Sequence, residues 1–238
     1  MLSFRRFALV MALATVALPA VQAQSSSSNP PAQDQAQPTA PQMSVQARIR
    51  ARREQRRANA IREAYQDRWE IFAGTAYSRF VPGPNLEHVP LYAWDTAVTR
   101  YITQRFGVTA DARGYYGTAF VGLNSTGITR ASISHYDGLA GPVYRFYLQP
   151  KYSLSARVLG GVAHGVFYDH NAGQGGTTLG LYADNSNAFA SSISVNGEYN
   201  IAPNVAVRLA PELFITGFGS KTQMSRGFNG GVVYRFGK

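Results

Sequence analysis

The 238 residues suffice for one large domain or two modest ones, yet charged residues make up only 15% while hydrophobic residues reach 45%, aromatics 12%, and glycines number 23. That composition argues against a helical soluble enzyme and for short strands joined by turns, and the absence of Cys excludes disulfide frameworks, thiolate metal sites and cysteine nucleophiles. The formal charge of +10 is spread out, with +4 over residues 24–68 and +4 over residues 69–238, so no single basic face offers itself to nucleic acid.

Residues 1–23 read as an export signal. Arg5 and Arg6 form the positive start, Phe7 to Val21 is an uncharged and mostly apolar run, and Val21-Gln22-Ala23 is a small-residue cleavage site. Export removes nucleic acid as a partner. No later segment offers the roughly 20 consecutive apolar residues of a membrane helix. Residues 24–44 are rich in Ser, Pro, Gln and Ala and predict a disordered tether with little to bury. Residues 45–68 lack Gly and Pro and are rich in Arg, Ala, Gln and Glu, which predicts a basic helix. Its apolar residues Val45, Ile49, Ala58, Ile61 and Tyr65 scatter around the wheel, so it is expected to be a solvated spacer or a basic surface.

From Trp69 onward the pattern has period two. Eight strands are predicted, over 69–80, 91–101, 107–117, 134–147, 153–167, 188–199, 205–217 and 226–236. Three connections are short: 102–106, 148–152 and 200–204. Four are long: 81–90, 118–133, 168–187 and 218–225. Alternating tight turns and larger loops are expected of an all-β, up-and-down membrane barrel with periplasmic turns and external loops.

Alternation alone does not say which face is outside. On the seventh strand Val205, Val207, Leu209, Pro211, Leu213 and Ile215 oppose Ala206, Arg208, Ala210, Glu212, Phe214 and Thr216. Extending the phases gathers Glu70, Asp95, Asp111, Arg113, Arg145, Arg157, Glu198, Arg208, Glu212 and Arg235 on the second face, five acids against five bases. Balance of that kind suits a narrow lumen, where a buried charge without a partner costs several kcal/mol. Arg suits it as well, because its planar fork grips carboxylates at two points. Glu212 is expected to pair with Arg208, Arg235 or Arg157. Aromatics near strand ends, Trp69, Tyr77, Trp94, Tyr101, Tyr116, Tyr136, Tyr144, Tyr199 and Tyr234, are expected to form interfacial girdles.

The last strand, Asn229-Gly230-Gly231-Val232-Val233-Tyr234-Arg235-Phe236, carries a polar residue, a glycine two on, and alternate aromatics near the terminus. With these features residues 69–238 resemble the small eight-stranded outer-membrane β-barrel family, of the OmpA and OmpX kind. The resemblance implies that Asn229, Gly231, Tyr234 and Phe236 form an assembly signal read by the barrel-assembly machinery. The departure is Gly237-Lys238, which follows the aromatic on which the family often ends. The resemblance also implies outer-membrane lipid as surroundings and a role in envelope structure or surface interaction.

The chemistry is sparse. The histidines are His88, His135, His164 and His170. His135 with Asp137 is expected near the outer rim, where such a pair could act as base and orienting group beside Ser132 or Ser134. No metal-ligand spacing and no cofactor motif is present; Ala172-Gly173-Gln174-Gly175-Gly176-Thr177 lacks the Lys-Ser/Thr ending of a phosphate loop and is expected to be a flexible external loop. The expected protein is a monomeric, non-enzymatic barrel with a closed, salt-bridged lumen and no cofactor. The alternatives are a rim enzyme acting on lipid or peptide, and a narrow-pore porin. Residues 24–68 are expected in the periplasm, where Arg48, Arg50, Arg52, Arg53, Arg56 and Arg57 would meet anionic lipid or a wall polymer.

Overall fold

The computed structural model describes residues 44–122, 127–169, 174–219 and 222–237. The expected export signal, the tether up to Met43, His170, and Ala172-Gly173 lie outside the described residues.

Period-two alternation of apolar and polar or small residues produces long strands with one face for each environment. They are β1 (Trp69–Phe80), β2 (Val89–Tyr101), β3 (Phe106–Phe120), β4 (Arg130–Leu148), β5 (Tyr152–Asp169), β7 (Ser186–Ala202), β8 (Val205–Thr216) and β9 (Gln223–Phe236). A two-residue strand, β6 (Gln174–Gly175), pairs only with the end of β5. Each long strand is antiparallel to its neighbours in sequence, and β1 pairs with β9 from Trp69↔Phe236 to Arg79↔Arg226. The eight long strands therefore close into an up-and-down barrel with no free edge. Several strands extend past the predicted spans, β4 and β7 most of all, because the backbone ladder continues past the alternating stretch. Bulges at Arg145/Tyr147 on β4 and Asn200/Ala202 on β7 shift the register near the short turns.

The short turns lie at the same end as Trp69 and Phe236, and the long loops lie at the other. The outward face is apolar across its middle, with Val98, Val158, Ile193, Leu209 and Val232 exposed. Trp69, Tyr144, Tyr199 and Tyr234 ring the short-turn end; Trp94, Tyr116 and Tyr136 ring the long-loop half. Tyr101 does not join a girdle. It shares the inward parity of Asp95 and Thr99 and is buried in the lumen, with the Arg145 guanidinium 3.6 Å above its ring.

The helix α1 runs over Val45–Ala64, shorter than the 45–68 expected. The Ser44 side chain accepts from the Ala47 N–H at 3.3 Å and caps its start. It ends at Ala64 because the following backbone joins the barrel: the Arg68 N–H donates to Gly237 O at 2.8 Å, and the Tyr101 N–H donates to Arg68 O at 2.7 Å. Within the third long loop the described residues add local structure. Gly176–Leu179 form one 3₁₀ turn, and Leu179, Leu181 and Tyr182 are buried over the barrel mouth.

Candidate functional site

Inside the barrel the side chains form layers. Nearest the short turns, Glu70 accepts from Arg235 Nε at 2.7 Å, from Arg208 Nη2 at 3.2 Å, and from Arg145 Nη2. Glu198 accepts from Arg208 Nε at 2.9 Å, Arg235 Nη2 at 2.5 Å and Ser153 Oγ at 3.1 Å. Two carboxylates therefore hold three guanidiniums. Above them lies an apolar layer of Phe72, Ala97, Ala206 and Val233.

The next layer reverses the ratio, with Asp95, Asp111 and Glu212 around Arg113 and Arg157. Asp111 accepts from Arg113 Nε at 2.6 Å and Arg157 Nη1 at 3.0 Å. Glu212 accepts from Arg113 Nη1 at 2.5 Å, from Asn229 Nδ2 at 3.1 Å, and from Ser192 Oγ. The partner of Glu212 is thus Arg113 and not Arg208, Arg235 or Arg157: the first two belong to the lower layer, and Arg157 turns to Asp111. Asp95 stands apart, with Arg113 Nε 3.7 Å away and, among the described residues, no hydrogen bond to either buried carboxylate oxygen. All ten charged residues grouped by phase lie buried on the inner wall.

Two inward groups escaped that grouping. Asp137 and His135 share the parity of Arg145 on β4, which was the available signal, and both are buried. They are not rim residues. The His135 Nδ1 lies 2.9 Å from Asp137 Oδ1, and its ring stacks on Tyr115 at 4.5 Å beneath Phe80, Phe214 and Phe218. Strand alternation turns Ser132 and Ser134 to the opposite wall, so neither stands beside the imidazole as a nucleophile. The other described histidines are elsewhere. His88 lines an outer cleft, and His164 Nδ1 lies 2.9 Å from Asn187 Oδ1.

Both ends are stoppered. At the long-loop end Phe80, Phe167, Tyr182 and Phe218 pack at centroid distances of 5.3–6.5 Å. At the short-turn end the stopper comes from the chain before β1. The Tyr65 hydroxyl donates to Gln149 O at 3.0 Å and accepts from Asn200 Nδ2 at 2.8 Å. Its ring lies 5.0 Å from the Arg145 guanidinium and 4.9 Å from that of Arg235. Arg57 donates from Nε to Gln149 Oε1 at 3.0 Å, so it is tied to the barrel, while Arg48, Arg50, Arg52, Arg53 and Arg56 are exposed along α1.

In the β9 motif Asn229 faces the lumen, and Tyr234 and Phe236 face outward with their rings 6.1 Å apart. Gly231 sits at the closing seam, where a Cβ would lie 2.3 Å from Ala73 O and 2.5 Å from Gly74 Cα. Only glycine lets β1 and β9 approach this closely.

No family model matches the chain, and no curated protein matches it in sequence. Solved structures do. Neisserial surface protein A is 15% identical over 71% of this chain and 97% of its own, with a TM-score of 0.50. The attachment invasion locus protein Ail of Yersinia pestis, solved in complex with the heparin analogue sucrose octasulfate, is 18% identical over 71% and 99%, with a TM-score of 0.49. The outer membrane protein OprG of Pseudomonas aeruginosa is 11% identical over 72% and 97%, with a TM-score of 0.45. The likeness to Neisserial surface protein A is one of fold alone.

Proposed function

We propose that this eight-stranded transmembrane barrel of outer-membrane type is a non-enzymatic envelope protein, sealed inside and interacting through its loops and outer surface. One observation supports the reading above the others. The lumen is filled between its stoppers by two charge layers, an apolar layer and a ring cluster, with Tyr65 below and Tyr182 above. Eight strands enclose a space just wide enough for side chains, and here the side chains occupy it. In planar bilayers the full chain should give no stable conductance above the bare membrane, and Tyr65→Ala should add at most brief openings, because the charge layers remain. A large, steady wild-type conductance would overturn the sealed reading in favour of a porin.

In this reading the short-turn end faces the periplasm and the long loops face outside. Helix α1 then presents its exposed arginines to the anionic inner leaflet or a wall polymer, each worth about 1 kcal/mol near such a surface. The full chain in detergent micelles should capture anionic vesicles at low ionic strength and release them as salt screens the contact. Capture that ignores salt, or none at low salt, would dismiss the basic surface.

A further inference from the structure

The outer wall carries a second unusual arrangement of charge. Arg79 at the top of β1 and Arg226 at the top of β9 are directly opposite in the antiparallel register, and both are exposed. Like charges at one cross-strand position destabilise a sheet. Among the described residues neither guanidinium makes an ion pair or a side-chain hydrogen bond. Together with His88 and Met224 they line a cleft of about 360 Å³. Glu87 precedes His88 but is not among the lining residues.

Directly below, the same face becomes aromatic. Tyr77 on β1 has Phe228 of β9 on one side, with ring centroids 5.4 Å apart, and Tyr92 of β2 on the other at 5.6 Å. Two residues further down β1, Thr75 faces Gly230 on β9 and Trp94 on β2. The small side chains there leave a trough of about 530 Å³ bounded by Tyr77, Tyr92, Trp94, Tyr116 and Phe228. At the rise of a strand the trough begins about 7 Å from the arginine pair and reaches Thr75 at about 13 Å. Exposed aromatics of this kind mark the headgroup level of a bilayer. With that belt at the interface, the arginines one pleat nearer the long loops would lie level with lipid phosphates, and the trough would run from the headgroups toward the acyl chains.

We infer that the β9–β1–β2 face binds a single phosphorylated lipid of the leaflet at the long-loop end. Arg79 and Arg226 clamp a phosphate monoester, His88 flanks it, and one acyl chain lies along Thr75 between Tyr77 and Trp94. A monoester suits the site because its charge of about −1.5 to −2 matches two guanidiniums, each able to donate two parallel bonds to phosphate oxygens. The ligand also removes the repulsion that the bare pair suffers. The leaflet is the outer one in the orientation proposed above, but binding itself can be measured without knowing the orientation.

The test is native mass spectrometry of the full chain in micelles with four probes: bis-phosphorylated lipid A, the same lipid enzymatically dephosphorylated, phosphatidylglycerol, and inorganic phosphate. The expected result is retention of the bis-phosphorylated lipid at least about tenfold tighter than the other three. Arg79→Gln with Arg226→Gln should abolish that preference while the heat-dependent electrophoretic shift of a folded barrel persists. If the double variant fails to assemble, Arg226→Gln alone carries the measurement. Thr75→Trp, which fills the trough, should weaken lipid retention by a similar factor. Equal binding of the dephosphorylated lipid, or unchanged binding by the arginine variants, overturns the proposal. Inorganic phosphate bound as tightly as the lipid overturns it too, by making the cleft a free-anion site.

Discussion

The two halves of the lumen are filled by opposite chemistries. Toward the short turns, three guanidiniums and two carboxylates are tied in a mesh in which Glu70 alone receives bonds from Arg145, Arg208 and Arg235. Toward the long loops, Phe80, Phe167, Phe214 and Phe218 fill the space by ring packing. The connections explain why the ends are closed differently. Long loops can fold back, and they supply Leu179, Leu181, Tyr182 and Phe218 to their own lid. Turns of a few residues cannot, so Tyr65 comes from the segment before β1. A charged mesh is specific because each partner lost leaves a buried charge behind, whereas ring packing accepts other shapes of similar volume.

Conservative changes in each half would break or sharpen that contrast. The largest effect is expected from Glu70→Gln, which keeps the size and removes the charge. Glu198 would then face three buried guanidiniums alone, at a cost of about 3–5 kcal/mol, visible as a drop in the temperature at which the folded electrophoretic band is lost. If this variant proved as stable as the wild type, the mesh would be mere filling. Next comes Leu209→Arg, on the residue after Arg208 but on the lipid side. It should cost about 2–4 kcal/mol near the midplane, measured by urea unfolding in lipid vesicles. An arginine tolerated there as well as at Arg208 would mean that the inward carboxylates are not what makes Arg208 acceptable. The smallest effect is expected from Phe218→Leu in the lid. The site stays apolar but loses part of a buried ring, so a cost of about 1–2 kcal/mol is expected, and the same unfolding measurement should show a smaller shift. A loss as large as that of Glu70→Gln would give the ring cluster the specificity assigned here to the mesh.

Along any one strand, much could be read before the fold was known. A side chain's face depends only on parity, and parity is local. Val205 to Thr216 alternate as read, and the ten charges of balanced sign all point inward. Parity on β4 and β2 also contained the inward placement of His135, Asp137 and Tyr101, which chemical expectation for rims and girdles had overridden. Height and partners were not available in this way. Glu70 meets Arg145 across 75 residues and Arg235 across 165, and Arg113 meets Glu212 across 99. Such pairs depend on the stagger of strands around the closed wall, which no single strand encodes. The split into two layers of opposite charge, the use of Tyr65 as a stopper, and the meeting of Arg79 with Arg226 all arise when β9 closes on β1. The sequence by itself determined the strands and their two faces, because alternation is a property of neighbouring residues. Closure of the barrel decided which residues meet, because contacts across a lumen join segments far apart in the chain.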